Sequence, residues 1–256
     1  MKFRIDSASF FLREENRGSA TVMNLKTNQV VYMNETGRKV FERCDEVIDF
    51  DEFIDSLNYP HVSREKLCAD YKKLLIKLYA YGFAELTGIE RCTQDGCFVA
   101  GIEDVDAISA FLRASCANEP SCAEATSPIY YSRHAVYSRL TNGQTPYLYL
   151  QSGGAIKAAV DTQVSALGMG ESVVYLGSFF FTDGMNAAEC ASAAKALVEL
   201  ASAAAKQSAS KLRYMYMNPR QDKIIEMLTP LGFKKTAVLE KEVNACRDLC
   251  LYDLFI

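Results

Sequence analysis

Ser172-Val-Val-Tyr-Leu-Gly-Ser-Phe-Phe-Phe181, then Thr182-Asp-Gly-Met-Asn-Ala187, then an alanine-rich run to about Gln207 decide the fold of the C-terminal part of this chain. The first run is apolar, aromatic and β-branched, as a buried strand requires, and the second has turn chemistry. The third is built of strong helix formers, with Leu197, Val198 and Leu200 supplying its bulk. Beyond it Lys211-Leu-Arg-Tyr-Met-Tyr-Met217 alternates as a strand, and Asn218-Pro219 opens a second helix that ends at Leu231-Gly232. A strand feeding a helix feeding a strand predicts parallel pairing through a right-handed crossover. The strand-to-helix turn then lies at the carboxyl edge of the sheet, where an anionic ligand would sit.

Working outward, Ile102, Val105, Ile108, Phe111 and Leu112 predict an amphipathic helix, and another is expected over Ile129 to Leu140. Pro146 to Leu150 and Ala155 to about Leu167 read as strands around Gly153-Gly154, and Gly168-Met-Gly170 turns into the opening stretch. Phe233 to Val243 and Leu249 to Ile256 are two closing strands. With a first strand near Cys97, the order is strand, two helices, three antiparallel-type strands, helix, strand, helix, strand, strand. The class is α/β, a mixed sheet flanked by helices.

The chain has 256 residues, 49% hydrophobic and 23% charged, which suggests two globular domains. A formal net charge of -4 argues against a dominant nucleic-acid role, which usually needs a basic field. Met1-Lys-Phe-Arg-Ile-Asp lacks the apolar core of a signal peptide, and no run approaches the roughly 20 apolar residues of a membrane span. A cytoplasmic protein without nucleic-acid or membrane partners is expected. Nine cysteines, an odd count, fit reduced thiols in a reducing compartment.

In the first domain, 1–86, Ala20 to Leu25 and Gln29 to Met33 predict a β-hairpin. Asn34 can cap a helix carrying Val40, Phe41 and Cys44, and Asp49 or Asp51 a short one with Phe53, Ile54 and Leu57. Ser63 opens a third helix, with Leu67, Tyr71, Leu74, Leu75 and Leu78 at helical spacing and Gly82 placed to end it. Hairpin and helices together make a winged-helix-like unit. Its run from Val22 to Gly37, then Val40-Phe41 and Leu78-Tyr-Ala-Tyr-Gly-Phe83, resembles the PqqD-like family of peptide-binding domains, also called RiPP recognition elements, over about the first third of the chain.

The resemblance implies a peptide or precursor-peptide partner, and with it a peptide-modifying enzyme. Capture would be by β-augmentation, with Gln29, Val30, Val31, Tyr32 and Met33 as backbone edge and Leu67, Tyr71 and Leu74 as groove wall. Core packing is the alternative role for each of these apolar residues. Arg64, Lys66, Lys72, Lys73 and Lys77 on the third helix admit a DNA-recognition reading or a solvated face.

Residues 87–96 are polar and turn-rich and read as the linker to a second domain, 97–256. Cys92 with Cys97, and Cys116 with Cys122, are too loosely spaced for a zinc site and have no nearby His, so no metal is expected. Cys246 and Cys250 would share one strand face if no turn intervenes.

The element order of the second domain, with Leu231-Gly232-Phe233 before the penultimate strand, resembles the GNAT acyltransferase superfamily. That resemblance implies acetyl-CoA as the acyl donor. In that family the strand before the long helix splays from its neighbour and lends backbone groups to the pantetheine arm, here the end Phe179, Phe180, Phe181 and Thr182. The helix start, with Ser192, Ala193 and Ala194, would face the pyrophosphate, and Asn218 matches the family's frequent asparagine after the next strand. The family's turn signature is Gln or Arg, two residues, Gly, one residue, Gly or Ala. Glu189, Ser192 and Ala194 occupy those positions, and only the last fits.

Leu228 stands where many members carry the tyrosine that protonates the leaving thiolate. Glu171, Asp183, His134 and Tyr252 are candidate bases, none uniquely marked, with His134 also readable as a structural histidine. The expected function is acyl-CoA-dependent N-acetylation of a captured peptide. The alternative is a non-catalytic peptide-binding adaptor with a degenerate GNAT-like domain.

Overall fold

A computed structural model of the chain describes all residues except 90, 92, 119–120, 124–125, 143–145, 167–171, 207–208, 218–220 and 244–246, with the side chains of 164–166 and 172 also outside the description. The Gly168 to Gly170 turn, Cys92, Glu171, Asn218 and Cys246 therefore lie outside the described residues or side chains. The chain divides into two compact units, Met1–Arg91 and Cys92–Ile256.

In the first unit, strand β1 (Lys2–Ile5) runs between β5 (Ile48–Asp49) and β6 (Ala84–Thr87), antiparallel to both. A second antiparallel sheet has β3 (Ala20–Asn24) between β2 (Phe10–Glu14) and β4 (Val30–Met33). Strands β3 and β4 form the expected hairpin, with Ala20 opposite Met33 and Met23 opposite Val30. Strands β1, β2, β5 and β6 are short like β3 and β4, but no polar turn between adjacent β-branched runs marks them in the sequence as it marks that hairpin.

Helix α1 (Glu35–Arg38) is capped by Asn34, whose Oδ1 accepts from Gly37 N at 2.8 Å. It tightens into a 3-10 turn at Lys39–Phe41 and stops, so the helix expected to reach Cys44 is shorter, and Asp45 turns the chain with φ +69°. Asp49 caps α2 (Phe50–Ser56) and Ser63 caps α3 (Arg64–Ala80). Gly82, at φ +79°, is the left-handed stop after α3. The unit's core gathers Phe3, Val22, Val31, Phe53, Leu75 and Leu78 from both sheets and the helices.

Buried Asn24 links the hairpin turn to the end of α3. Its Nδ2 donates to Gly82 O at 2.8 Å, and its Oδ1 accepts from Lys26 N and Thr27 N at 2.8 and 2.9 Å. Asn24→Ala leaves these backbone groups unpaired and is expected to cost about 1–3 kcal/mol, read as a lower denaturation midpoint.

The second unit is a seven-stranded sheet ordered β12-β13-β11-β10-β9-β8-β7. In chain order it contains β7 (Gly96–Val99), α4 (Val105–Ser115), α5 (Arg133–Thr141), β8 (Tyr147–Ser152), β9 (Ala155–Ala166) and β10 (Ser172–Phe181). Then follow α6 (Ala187–Ala205), β11 (Lys211–Tyr216), α7 (Asp222–Leu228), β12 (Lys234–Val243) and β13 (Arg247–Phe255). Strands β10 and β11 are parallel and the other pairs antiparallel, as a crossover through α6 requires. The element order is the expected one, and the class is α/β with a mixed sheet flanked by helices.

Alternation along β10 directs its aromatic residues to both faces. Phe179 and Phe181 pack under α6 with Ala193, Ala194, Leu197 and Val198, and Phe180 packs on the other side with Ile108, Tyr131 and Tyr149. Where α6 meets the sheet it is lined by alanines, so helix and sheet approach closely. On β11 and β13 the directly opposed Arg213 and Asp253 form a bidentate pair, Nε to Oδ1 2.6 Å and Nη2 to Oδ2 2.7 Å, with Lys211 Nζ 3.4 Å from Oδ2. Among the described residues no helix is long and apolar enough to cross a membrane.

Candidate functional site

The site is the place where β10 leaves β11. The two strands pair from Val173 with Lys211 to Leu176 with Tyr214, and no further. An irregularity between Leu176 and Phe179 then swings β10 aside while it stays on β9, with Phe179 opposite Val160 and Phe181 opposite Ala158. Gly177 makes this possible, because a Cβ there would lie 2.8 Å from Asp161 Oδ1. That carboxylate oxygen accepts from Ser178 N, which fixes the displaced backbone.

The divergence opens one edge of β10, and the chain itself fills it. Cys122 N donates to Phe179 O at 2.8 Å and Phe179 N donates to Cys122 O at 3.2 Å, a single antiparallel bridge. Phe181 N donates to Ser121 Oγ at 2.9 Å. The Asn118 amide, assigned to suit its neighbours, has its oxygen 3.2 Å from Asp183 N and its nitrogen 3.3 Å from Ala114 O. On the β11 side, buried Gln221 accepts from Met217 N and donates to Met215 O at 2.8 Å and to Tyr214 Oη at 3.0 Å. Burial raises the Tyr214 phenol far above its ordinary pKa, so it remains protonated.

The first turn of α6 carries its own carboxylate. Asn186 Oδ1 accepts from Glu189 N at 3.0 Å, and Glu189 Oε2 accepts from Asn186 N at 2.8 Å, a capping box. This accounts for Glu189, whose charge already complements the helix dipole. Leu228 is fully buried in the core between α6, α7 and the sheet, which accounts for an aliphatic side chain there.

Beside these turns a cavity of about 670 Å³ lies between α6 and α7, lined by Met185, Cys190, Ser192, Lys195, Lys223 and Glu226 among others. A second, of about 500 Å³, shares Lys195, Pro230 and Leu231 with it and adds Lys206. The sequence reading missed Lys195 and Lys223, because two lysines on separate helices leave no spacing signal.

Of the residues singled out from the sequence, Phe179, Phe180 and Phe181 are wholly buried, and only the backbone of this strand end faces the opened edge. Thr182 N donates to Lys157 O at 2.8 Å and its Oγ1 to Ile156 O at 3.2 Å, so it closes the strand onto β9. Ser192 is exposed on the cavity wall, whereas Ala193 and Ala194 are turned into the core and offer no surface. Asp183 is exposed at the turn after β10. His134, on α5, has its pKa lowered by burial and is neutral at pH 7. Tyr252 lies on β13, edge to face with Tyr216.

In the first unit β4 is an edge strand, with Val31 and Met33 turned into the core and Val30 and Tyr32 outward, Tyr32 at 79% exposure. Gln29 O accepts from Asn24 N in the hairpin turn at 2.8 Å. Leu67 and Tyr71 are core residues, and Tyr71 Oη donates to Thr36 O at 2.7 Å; Leu74 is half-buried beside Gly37. Leu67 and Tyr71, four apart on one face of α3, both pack into the unit's own core. Arg64 is held by Asp55 (2.8 Å) and Asp51 (3.2 Å), so the charge at the start of α3 is locally neutralised. Among the described residues no group of three or more His, Cys, Asp or Glu has a metal-holding arrangement.

No protein-family model matches the sequence, and no curated protein matches it. Solved structures with a similar fold include the ribosomal-protein-S5-alanine acetyltransferase from Vibrio fischeri, 15% identical, TM-score 0.47, covering 62% of this chain and 91% of that one. Another is a putative GNAT-family acetyltransferase from Desulfovibrio desulfuricans, 11% identical, TM-score 0.49, covering 63% and 99%. A third is the Salmonella typhimurium acetyl transferase that modifies the N-terminal serine of ribosomal protein L7/L12, 12% identical, TM-score 0.47, covering 62% and 94%. At these identities the likeness is one of fold, and the reaction has to be read from the residues above.

Proposed function

We propose that the chain is a GNAT-type N-acyltransferase acting on a peptide. The Cys92–Ile256 unit takes the acetyl group of acetyl-CoA and passes it to a peptide amine, and the Met1–Arg91 unit captures that peptide by strand addition at β4. The observation that carries this reading is the separation of β10 from β11 beyond Leu176 and Tyr214, together with the cavity between α6 and α7 that bears Lys195 and Lys223. Lys195, which also lies 3.9 Å from Glu199, and Lys223 supply two ammonium groups to a wall that Glu226 shares, and these suit the phosphates of a nucleotide-bearing donor. The open edge of β4, with Val30 and Tyr32 outward, supports peptide capture through main-chain hydrogen bonds.

The amine must lose a proton before it attacks the thioester carbon, and Glu171, Asp183, His134 and Tyr252 are the candidate acceptors, none uniquely marked. Buried Tyr214 is suited to donate a hydrogen bond and unsuited to act as a base. Calorimetric titration with acetyl-CoA tests the reading. The wild type is expected to bind, and Lys195→Ala/Lys223→Ala to bind at least about tenfold more weakly, from the loss of two charge-assisted contacts. No heat of binding at millimolar acetyl-CoA would remove the acyl-donor reading.

A second reading, a peptide-binding adaptor whose GNAT-like unit makes protein contacts only, is favoured by one specific feature. The helix N-terminus that would face a pyrophosphate is closed by the Asn186 and Glu189 capping box.

A further inference from the structure

We propose that Asp161 and Arg139 are positioning residues for the acyl donor: together they hold the β10 bulge in the shape against which the reacting end of the donor is placed. The inference rests on the acyl-donor reading above and names the side chains that set the geometry of that site.

The bulge has an uneven count. Leu176 is opposite Thr162 and Phe179 is opposite Val160, so Asp161 alone on β9 faces both Gly177 and Ser178. A bulge takes backbone groups out of the ladder, and here a carboxylate stands in for the strand partner. Its Oδ1 accepts from Ser178 N, a charge-assisted bond, and its Oδ1, Cγ and Oδ2 lie 2.8, 2.9 and 2.9 Å from where a Gly177 Cβ would be. The bulge follows the last pair of β10 with β11, Leu176 with Tyr214, so it stands at the closed end of the slot. A pantetheine arm laid along Phe179 to Thr182 from the α6 turn points its thioester toward that end.

The carboxylate is held in its turn. The Asp161 side chain is 13% exposed, and Arg139 Nη1, on α5, lies 3.8 Å from its Oδ2. The same Nη1 donates at 2.9 Å to Oη of Tyr147, the residue directly opposite Asp161 on β8. The Arg139 guanidinium also lies over the Tyr131 ring, 6.0 Å from its centroid, and that ring meets Phe180 edge to face. One cation thus braces the strand end by two routes, through Asp161 to Ser178 and through Tyr131 to Phe180. Reacting groups must be placed closely, so a backbone fixed this way acts on the end of the donor that it faces.

The test pairs calorimetry, with acetyl-CoA and CoA as probes, with amide hydrogen exchange on the full chain. In Asp161→Ala the Ser178 amide should lose protection while the Leu212 and Tyr214 amides keep theirs. Acetyl-CoA should bind this variant about tenfold more weakly than the wild type, from the loss of one charge-assisted bond, and CoA should lose less. Asp161→Asn keeps an oxygen acceptor for Ser178 N and should recover part of both the protection and the affinity. Equal acetyl-CoA affinities in the wild type and Asp161→Ala, or equal losses for acetyl-CoA and CoA, overturn the positioning role and leave the acyl-donor reading standing. Protection lost at Leu212 and Tyr214 as well marks a merely structural role and overturns it too. If the wild type binds neither probe, the acyl-donor reading falls and the inference with it. Arg139→Met, which removes the charge beside Asp161, makes the same comparison if Asp161→Ala does not fold.

Discussion

Asp253→Ala destabilises the Cys92–Ile256 unit by about 3–5 kcal/mol, the scale expected when one partner of a buried ion pair is removed. The Asp253 side chain is 2% exposed and those of Arg213 and Lys211 are 14% and 16% exposed, so the substitution strands two cations beneath the sheet. Arg213 also lies over the Tyr175 ring, 5.9 Å from its centroid, which holds it there after its partner is gone. Replacing both ions, Arg213→Met/Asp253→Leu, removes attraction and desolvation together and should be far milder than Asp253→Ala alone. Urea denaturation followed by exchange protection of the Leu212 and Tyr214 amides reads this unit separately from the other.

The pair also sets an acid limit. Burial raises the Asp253 carboxyl pKa, but hydrogen bonds from Arg213 and the charges of Arg213 and Lys211 outweigh it, and the net shift is downward. A carboxyl with a lower pKa folded than unfolded contributes its stability in full above the unfolded value, about 3.9, and loses it as pH falls through the folded value. The wild-type midpoint should therefore hold near pH 5 and decline below about 4, and that part of the decline should be missing in Asp253→Ala. An identical acid limb in both proteins would show that other carboxylates set it.

Phe180→Ala is the second large effect, about 3–5 kcal/mol from lost burial and the cavity left behind. Phe180 is fully buried and meets the Tyr131 ring edge to face, with centroids 5.2 Å apart. It is the β10 residue that faces α4 and α5, so it clamps the displaced strand end from below. Phe180→Leu keeps most of the volume and should lose much less. If Phe180→Ala also weakens exchange protection at Phe179 and Phe181 more than elsewhere in the sheet, the clamp has a local role in shaping the slot beyond its share of the core.

Long periodic elements were legible in the sequence. The β10 run, the alanine-rich α6 and the Lys211 to Met217 alternation each repeat their pattern often enough to fix type and order, and the crossover rule then gave their parallel pairing. The slot was only half legible. Glu189 does not fit the family's turn signature, and the structure adds what it does there, which is to cap α6 together with Asn186. In the sequence Cys122 reads only as one of a cysteine pair, because a bridge of one residue has no period, and no pattern links position 122 to position 179. Arg213 and Asp253 sit 40 residues apart on neighbouring strands, and opposite charges at alternating strand positions were the one available hint.

The three consecutive phenylalanines of β10 end on a strand edge that β11 does not reach. An apolar edge with free backbone groups is a template for a strand from another molecule, and sheet proteins usually guard such edges with charge, proline or cover. Here β10 carries no charged residue between Leu176 and Phe181, and the cover is the short bridge at Cys122. Removing that cover uncovers a sticky seam, so a Cys122→Pro variant, which lacks the N–H of the bridge, is expected to self-associate as its concentration rises.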